Sequence, residues 1–230
     1  MSKLSDPQLF FTTALSAGHT EALKAANIGF HFTPFISFDF VDAAEWEPLL
    51  NNSTDAWVFT SKRAIKATQS VINQLEKPAH VFAVGPKTAQ KLHKLGLSAT
   101  VPHTYNIAAL SDFISTCNIG HVTHFCGNLR SDVLKKNLTE NNIEVQDVEV
   151  YRTFHSPQQI KLNDFDGFVF MSPSAVESFF KKNTLTNEHT IFCIGPSTGK
   201  AMENFHIHHY QQPEESTFDS LVQTIHNYYS

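Results

Sequence analysis

The residues best suited to chemistry in this chain of 230 residues are hydroxyl side chains at two pairs of repeated turns. Ser61 follows a short apolar run, and Gly85-Pro86 follows the next run 24 residues later; Ser172 and Gly195-Pro196 repeat this order 23 residues apart. Serine is typical of the residue that caps a helix start, and proline of the first helical position. Because a helix start has unpaired N–H groups and a positive dipole end, each turn is a candidate anion site.

Four such helix starts, two in each half of the chain, suit a ligand with several carboxylates or phosphates. Thr88 and Thr198 fall within the first helical turn after each Gly-Pro pair. The alternative interpretation is that these hydroxyls only cap their helices. Duplication of both motifs, in the same order and at nearly equal spacing, favours a binding role.

Arginine occurs only three times, at Arg63, Arg130 and Arg152, and each lies in or beside a candidate turn or strand end. The planar guanidinium fork of arginine suits carboxylate recognition. A solvated arginine on a helix surface is the alternative for each of them, and the coincidence of all three favours a ligand contact.

Several other chemistries lack a matching pattern. The segment from Gly195 to Ala201 is one residue short of a P-loop, with alanine in place of the Mg²⁺-binding hydroxyl, and no G-x-G-x-x-G occurs. The histidines at 206, 208 and 209 have no acid or cysteine at ligand spacing, and no motif links Cys126 to a base. We therefore expect no metal and no cofactor; a histidine metal site and a Cys126 nucleophile stay open as alternatives.

The elements that must position these residues alternate between strand and helix. Alternation of this kind is typical of an α/β fold with a parallel sheet, whose ligands bind at the carboxyl ends of the strands. The predicted strands are Gln8–Thr13, Ala56–Phe59, Val81–Val84 and Val122–Cys126, with two long extended segments, Phe30–Phe40 and Val145–Phe154. The predicted helices are Ser16–Ala26, Lys62–Leu75, Lys87–Leu95, Ser131–Asn141 and Thr217–Tyr228.

Composition excludes several classes of function. A net charge of −5 argues against non-specific nucleic-acid binding, which needs a basic surface. No apolar run approaches the roughly 18 residues of a membrane span, and the N-terminus lacks a signal-peptide core. Three widely spaced cysteines are typical of a reducing compartment. We expect a cytoplasmic protein of two domains with neither nucleic-acid nor membrane partners.

Taken together, the motifs resemble those of the uroporphyrinogen-III synthase family, over about residues 8–225. The matching motifs are Phe59-Thr60-Ser61-x-x-Ala64, Val84-Gly85-x-x-Thr88-Ala89, Gly127-x-x-Arg130, Val150-Tyr151-x-Thr153, Phe170-x-Ser172-Pro173-Ser174-Ala175 and Ile194-Gly195-Pro196-x-Thr198. Three positions depart from the family pattern and bear on substrate contacts. Thr13-Ala14 stands where a basic residue is frequent, Arg130-Ser131 where many members have Gly-Arg, and Met171 where a small or hydroxyl residue is usual.

The resemblance implies two flavodoxin-like, doubly wound parallel-sheet domains joined by a two-stranded hinge, with a cleft between them. One domain would comprise residues 1–33 and 155–230, and the other residues 38–147. The hinge strands would be residues 34–37 and 148–154. The internal repeat alone would instead divide the chain into two consecutive halves.

The resemblance also implies an enzyme that cyclises hydroxymethylbilane, a linear tetrapyrrole with eight carboxylates, to uroporphyrinogen III. The reaction inverts the last ring (ring D), expels water and belongs to tetrapyrrole (haem) biosynthesis. We expect a monomer that needs no cofactor. A non-enzymatic two-lobed binder of an anionic small molecule and a Rossmann-like nucleotide enzyme are the alternatives, and the missing glycine fingerprint argues against the latter.

Site residues carry over from the matching motifs. Tyr151 is the candidate general acid, because a phenol stays protonated at neutral pH; a packed strand tyrosine is the alternative. Tyr151 and Arg152 should point to opposite faces of their strand, so at most one of them would address the substrate. The candidate substrate-binding residues are Thr60, Ser61, Arg63, Gly85, Thr88, Gly127, Asn128, Arg130, Ser172, Ser174, Ala175 and Thr198.

Overall fold

The computed structural model describes residues 6–50 and 53–230, so residues 1–5 of the first predicted domain lie outside it. The strands are β1 Gln8–Phe11, β2 Gly29–Phe32, β3 Ile36–Phe40, β4 Ala56–Phe59, β5 His80–Ala83, β6 His121–Gly127, β7 Glu144–His155, β8 Gly167–Phe170 and β9 Ile191–Cys193. The helices are α1 Ala17–Ala25, α2 Ala43–Trp46, α3 Lys62–Thr68, α4 Pro86–His93, α5 Ile107–Ser115, α6 Val133–Glu140, α7 Pro173–Phe180, α8 Pro196–Glu203 and α9 Phe218–Tyr229. Short 3₁₀ turns cover Glu47–Leu49 and Leu162–Asp164.

The chain forms two compact units. Unit 1 comprises the chain up to Ser37 together with Phe154–Ser230, and unit 2 comprises Phe38–Thr153. Unit 1 has a sheet of order β2-β1-β8-β9, whose neighbouring strands are all parallel. Unit 2 has a sheet of order β3-β7-β6-β4-β5. Its β7–β6, β6–β4 and β4–β5 pairs are parallel. The predicted α/β class with parallel sheets is thus confirmed.

Helices cover both faces of each sheet. In unit 2, α3 and α4 pack on one face around Phe59 and Phe125, and α5 and α6 pack on the other around Val58 and Val122. Unit 1 is arranged in the same way, with α7 and α8 on one face and α1 and α9 on the other. Apolar burial on both faces explains why the strands are nearly continuous apolar runs. Among the described residues, no helix is both long and apolar enough to cross a bilayer.

Two predicted elements differ from the structure. The segment Phe30–Phe40 is two strands, β2 and β3, in different sheets, because Pro34 between them has no N–H to donate to a ladder. The predicted helix Lys62–Leu75 ends at Thr68, and turns follow it. The Thr68 hydroxyl donates back to the Ala64 carbonyl at 3.1 Å, a bond that competes with the helical ladder.

Helix α5 was not predicted from the sequence pattern. Asn106 caps it, accepting the N–H of Ala109 at 2.8 Å. It occupies the place in unit 2 that α9 occupies in unit 1. An isolated parallel bridge precedes each of these helices, Phe82 with Thr100 in one unit and Phe192 with Gln211 in the other. The internal repeat therefore extends further than the motifs indicated.

Candidate functional site

The strand order of unit 2 reverses between β6 and β4. The chain leaves β6 toward the face covered by α6, and it leaves β4 toward the face covered by α3. Such a reversal is the point at which doubly wound sheets bind ligands, just beyond the carboxyl ends of the strands. The residues that follow β4 and β6 are therefore the first candidates for a site.

Helices α3 and α4 begin beside each other at this edge. Ser61 caps α3, its Oγ accepting the N–H of Ala64 at 3.0 Å. Gly85 precedes α4, Pro86 takes the first position, and the Thr88 N–H donates to the Gly85 carbonyl at 3.0 Å. Both predicted helix starts are confirmed. Since Ala64 and Thr88 already have partners, an anion here would bind N–H groups of the positions before them.

An open cavity of about 430 Å³ lies over these helix starts, lined by Thr60, Ser61, Lys62, Arg63 and Thr88. Burial, and then the positive charges of Lys87 and Lys91, lower the pKa of Lys62 from its usual value. Of these two causes, the charges of Lys87 and Lys91 also favour a bound anion nearby. Four of the predicted substrate-binding residues thus line one cavity.

The three arginines have different environments. The Arg63 guanidinium carbon lies 4.6 Å from the ring centroid of Phe38, a cation–π contact at the edge of the cavity. Arg130 pairs with the buried carboxylate of Asp147 at 3.0 Å. Arg152 pairs with Glu149, three residues away, at 2.8 Å on an exposed part of β7. Only Arg63 lines the cavity.

Tyr151 lies on β7 where the strand carries an extra residue. Cys126 pairs with Glu149 but Gly127 pairs with Tyr151, so Val150 is skipped. Bulges of this kind re-aim a side chain and are frequent next to active sites. The Tyr151 ring packs over Gly127 and is partly exposed. Its hydroxyl forms no hydrogen bond within residues 6–50 and 53–230 and is thus free to donate to a substrate.

Asn128 fixes the turn after β6 to β7. Its side-chain amide donates to the Thr153 carbonyl at 3.1 Å, and its Oδ1 accepts the Thr153 N–H at 2.7 Å. Both ends of the amide are therefore occupied by backbone. The residue positions Gly127 and Tyr151 beside each other.

In unit 1, Ser172 caps α7 with Pro173 at the first position, as predicted. Its Oγ accepts the N–H of Ala175 and lies 3.3 Å from the Ser174 hydroxyl. Ala175 and Thr198 are buried. Ser172 and Ser174 are consequently the accessible members of this group.

The sequence pattern missed a hydrogen-bonded polar row at the switch point of unit 2. Thr60 Oγ1 lies 2.9 Å from His124 Nε2, and His124 Nδ1 lies 2.9 Å from Asp147 Oδ1. His124 is 2% exposed. Burial by itself would raise the pKa of Asp147. The hydrogen bond from His124 and the charge of Arg130 outweigh it, and the pKa is lowered from its usual value. The available signal was a histidine within the otherwise buried strand β6, two residues before Cys126.

Nucleophile and metal chemistry fit these residues poorly. Burial raises the pKa of the Cys126 and Cys193 thiols to about 12, so neither is a thiolate at neutral pH. His124, Cys126 and Asp147 hold their ligand-type atoms within 4.8 Å of one another. Arg130 and Lys135, however, lie 3.0 and 3.8 Å from the same carboxylate, and their charge opposes a metal cation. In the part of the chain that the structure describes, the histidines at 206, 208 and 209 form no ligand cluster.

Comparison with known proteins gives one consistent family. The family model described as "Uroporphyrinogen-III synthase HemD" matches residues 19–223. A mutant uroporphyrinogen III synthase from the extreme thermophile Thermus thermophilus superposes with a TM-score of 0.75 at 15% identity, covering 96% of this chain and 98% of that one. The uroporphyrinogen-III synthetase of Helicobacter pylori gives 0.67 at 13% identity, covering 96% and 99%. At such low identity these two structures establish the fold.

Proposed function

The chain belongs to the uroporphyrinogen-III synthase family, and we propose that unit 2 carries the site at which it closes hydroxymethylbilane. Membership makes the chain a cyclising lyase of tetrapyrrole biosynthesis. The proposed reaction forms uroporphyrinogen III, with inversion of ring D and loss of water. The observation that carries the proposed site is the cavity over the starts of α3 and α4, beside the switch point, which Arg63 also lines.

The cavity suits part of a polycarboxylate substrate. Two helix starts direct their dipoles toward it, Arg63 adds a permanent charge, and Lys62 adds a second cationic group. The protein as a whole carries a net charge of −5, which repels a polyanion at long range. Local cationic sites of this kind are consequently needed to hold the substrate.

Tyr151 is proposed as the general acid. Its phenol would donate a proton to the departing hydroxyl as the C–O bond breaks, releasing water and leaving a cationic azafulvene methylene. The carbon that then attacks this methylene must be the one that gives the inverted ring, by way of a spirocyclic intermediate. Because free bilane closes without help to the other isomer, holding this carbon near the methylene is the main task of the protein.

Positioning of this kind needs no covalent intermediate, and we propose that none forms. The buried thiols of Cys126 and Cys193 are protonated at neutral pH, as described above. Hydroxyls, backbone N–H groups and the arginine at the cavity act instead by holding the substrate in shape and balancing charge.

We further propose that units 1 and 2 are the predicted domains of residues 1–33 with 155–230 and of residues 38–147. The protein is proposed to act as a cytoplasmic monomer. Its cysteines are free, as a reducing compartment requires, since none of the three forms a disulfide within the described residues.

The test supplies freshly prepared hydroxymethylbilane to the purified protein, oxidises the products and separates the type I and type III porphyrins by chromatography. We expect type III to dominate. A non-enzymatic binder of the bilane would raise the melting temperature on addition of the ligand but would leave the isomer mixture as it is in buffer. That result would contradict the proposed function.

A further inference from the structure

The polar row of Thr60, His124 and Asp147 is not required by the fold. By strand register and position, the equivalent residues of unit 1 are Met171 for Thr60, Phe11 for His124 and Phe32 for Asp147. The same sheet position is therefore filled by apolar side chains in one unit and by a hydrogen-bonded row in the other. Burying polar groups costs free energy unless they are paired, and this asymmetry indicates a task confined to unit 2.

The carboxylate of Asp147 fixes the direction of one hydrogen in the row. Asp147 is ionised at neutral pH and can only accept, so the hydrogen in its contact with His124 lies on Nδ1. The same carboxylate faces Arg130 at 3.0 Å and Lys135 at 3.8 Å. A second proton on the buried ring would place a third positive charge beside this one carboxylate. A ring protonated on Nδ1 alone has a lone pair on Nε2, which can accept the hydrogen of the Thr60 hydroxyl 2.9 Å away.

We propose that His124, protonated on Nδ1 alone and oriented by Asp147, is a positioning residue that makes Thr60 a hydrogen-bond acceptor toward the cavity. With its hydrogen held by Nε2, Thr60 presents oxygen lone pairs to the ligand. Lone pairs repel a carboxylate and accept from an N–H group, so Thr60 receives a pyrrole N–H of the substrate. The helix starts and Arg63 receive the carboxylates. This inference rests on the proposed function for the identity of the ligand.

The direction of the hydrogens can be measured without any ligand. Long-range ¹H–¹⁵N correlation on protein labelled at its 13 histidines reports which ring nitrogen is protonated, and the His124→Gln variant assigns the signal. We expect His124 to carry hydrogen on Nδ1 alone. In Asp147→Asn, the amide oxygen must face Arg130, which only donates, so the NH₂ group faces Nδ1. The hydrogen should then move to Nε2, and Thr60 becomes a donor toward the cavity.

A double-mutant cycle tests the consequence for the substrate. Asp147→Asn should raise KM by about tenfold with a smaller change in kcat, because one hydrogen bond to the substrate is lost. Thr60→Val should raise KM similarly, and Thr60→Ser, which keeps the acceptor, should resemble the wild type. The key result is the double variant Thr60→Val with Asp147→Asn, whose KM should equal that of Thr60→Val alone.

Two outcomes would overturn the proposal. The first is a wild-type His124 protonated on Nε2, alone or together with Nδ1. The second is an effect of Asp147→Asn on KM that is equally large with and without the Thr60 hydroxyl, which would indicate a structural role or one exerted through Arg130. If the wild-type protein does not close bilane at all, the proposed function fails, while the NMR measurement still decides the direction of the hydrogens.

Discussion

The ring of Tyr151 lies directly against Gly127, its partner across β6 and β7. A Cβ atom at position 127 would come within 2.5 Å of two ring atoms and 2.9 Å of the hydroxyl oxygen. Contacts this short do not occur, so any side chain at Gly127 must displace the ring. Because Gly127 has no side chain, the ring of Tyr151, the proposed general acid, can lie in this position.

Replacing Tyr151 by phenylalanine keeps the ring over Gly127 and removes only the hydroxyl. We expect kcat to fall by about 10- to 100-fold, at the low end of general-acid effects, because the leaving hydroxyl loses its proton donor. The proportion of type III product should not change, since substrate folding is left intact. Initial rates with fresh bilane measure both quantities, and a kcat equal to that of the wild type would remove Tyr151 from the chemistry.

Substitution of Gly127 by alanine should move the Tyr151 ring. We expect kcat to fall and the free energy of unfolding to drop by about 1–3 kcal/mol, as is usual for an overpacked contact. Gly18→Ala is the matched control, because a Cβ there meets nothing within 4 Å. That variant should keep full activity. Denaturant unfolding and kcat measurements check both variants, and a fully active Gly127→Ala protein would show that the ring position is unimportant.

The two arginines outside the buried ion pair should behave differently. Arg63→Ala should raise KM by about tenfold, because a charge-assisted contact to the substrate is lost at the cavity. Arg152→Ala should change neither KM nor kcat, since its partner is Glu149 on an exposed strand face. Steady-state kinetics on the two variants measures KM and kcat for each. A larger effect at Arg152 than at Arg63 would place the substrate on the other face of β7.

The hydrogen bonds of Asp55 predict that this residue contributes to the free energy of unfolding in a pH-dependent way. Its carboxylate accepts the N–H groups of His121 and Gly120, each at 2.8 Å, and these hydrogen bonds lower its pKa from the usual value. With the folded-state pKa below the unfolded value of about 3.9, the stabilisation is present above that value and disappears as the pH falls through the folded-state pKa.

Asp55→Asn should therefore be less stable than the wild type at pH 7, and the difference should shrink below about pH 4. Denaturant unfolding at pH 7 and pH 3 measures it, with the exposed Asp112→Asn as the control. A difference between Asp55→Asn and the wild type that is the same at both pH values would show that ionisation of Asp55 does not matter.

Much of the scaffold of the site was predictable from local sequence. Ser61 and Ser172 cap helices because their hydroxyls accept from the third helical N–H, and proline after Gly85 or Gly195 marks a first helical position. These signals depend on neighbours within four residues. A single sequence reveals such features well.

The polar row was not predictable, because its members come from two strands and from the residue that follows a third. Thr60, His124 and Asp147 are brought together by the register of β4, β6 and β7, which no local pattern states. Helix α5 was missed for a different reason. Its apolar residues Ile107, Leu110 and Ile114 do follow helical spacing, but the segment matches none of the repeated motifs.

The central claim is tested most directly by the isomers formed from hydroxymethylbilane as the concentration of purified protein is raised. We predict that the fraction of uroporphyrinogen III rises from its value in buffer and saturates, and that Arg63→Ala shifts the curve to higher protein concentration. If the product remains the same mixture as in buffer at every concentration of the wild-type protein, the account is contradicted.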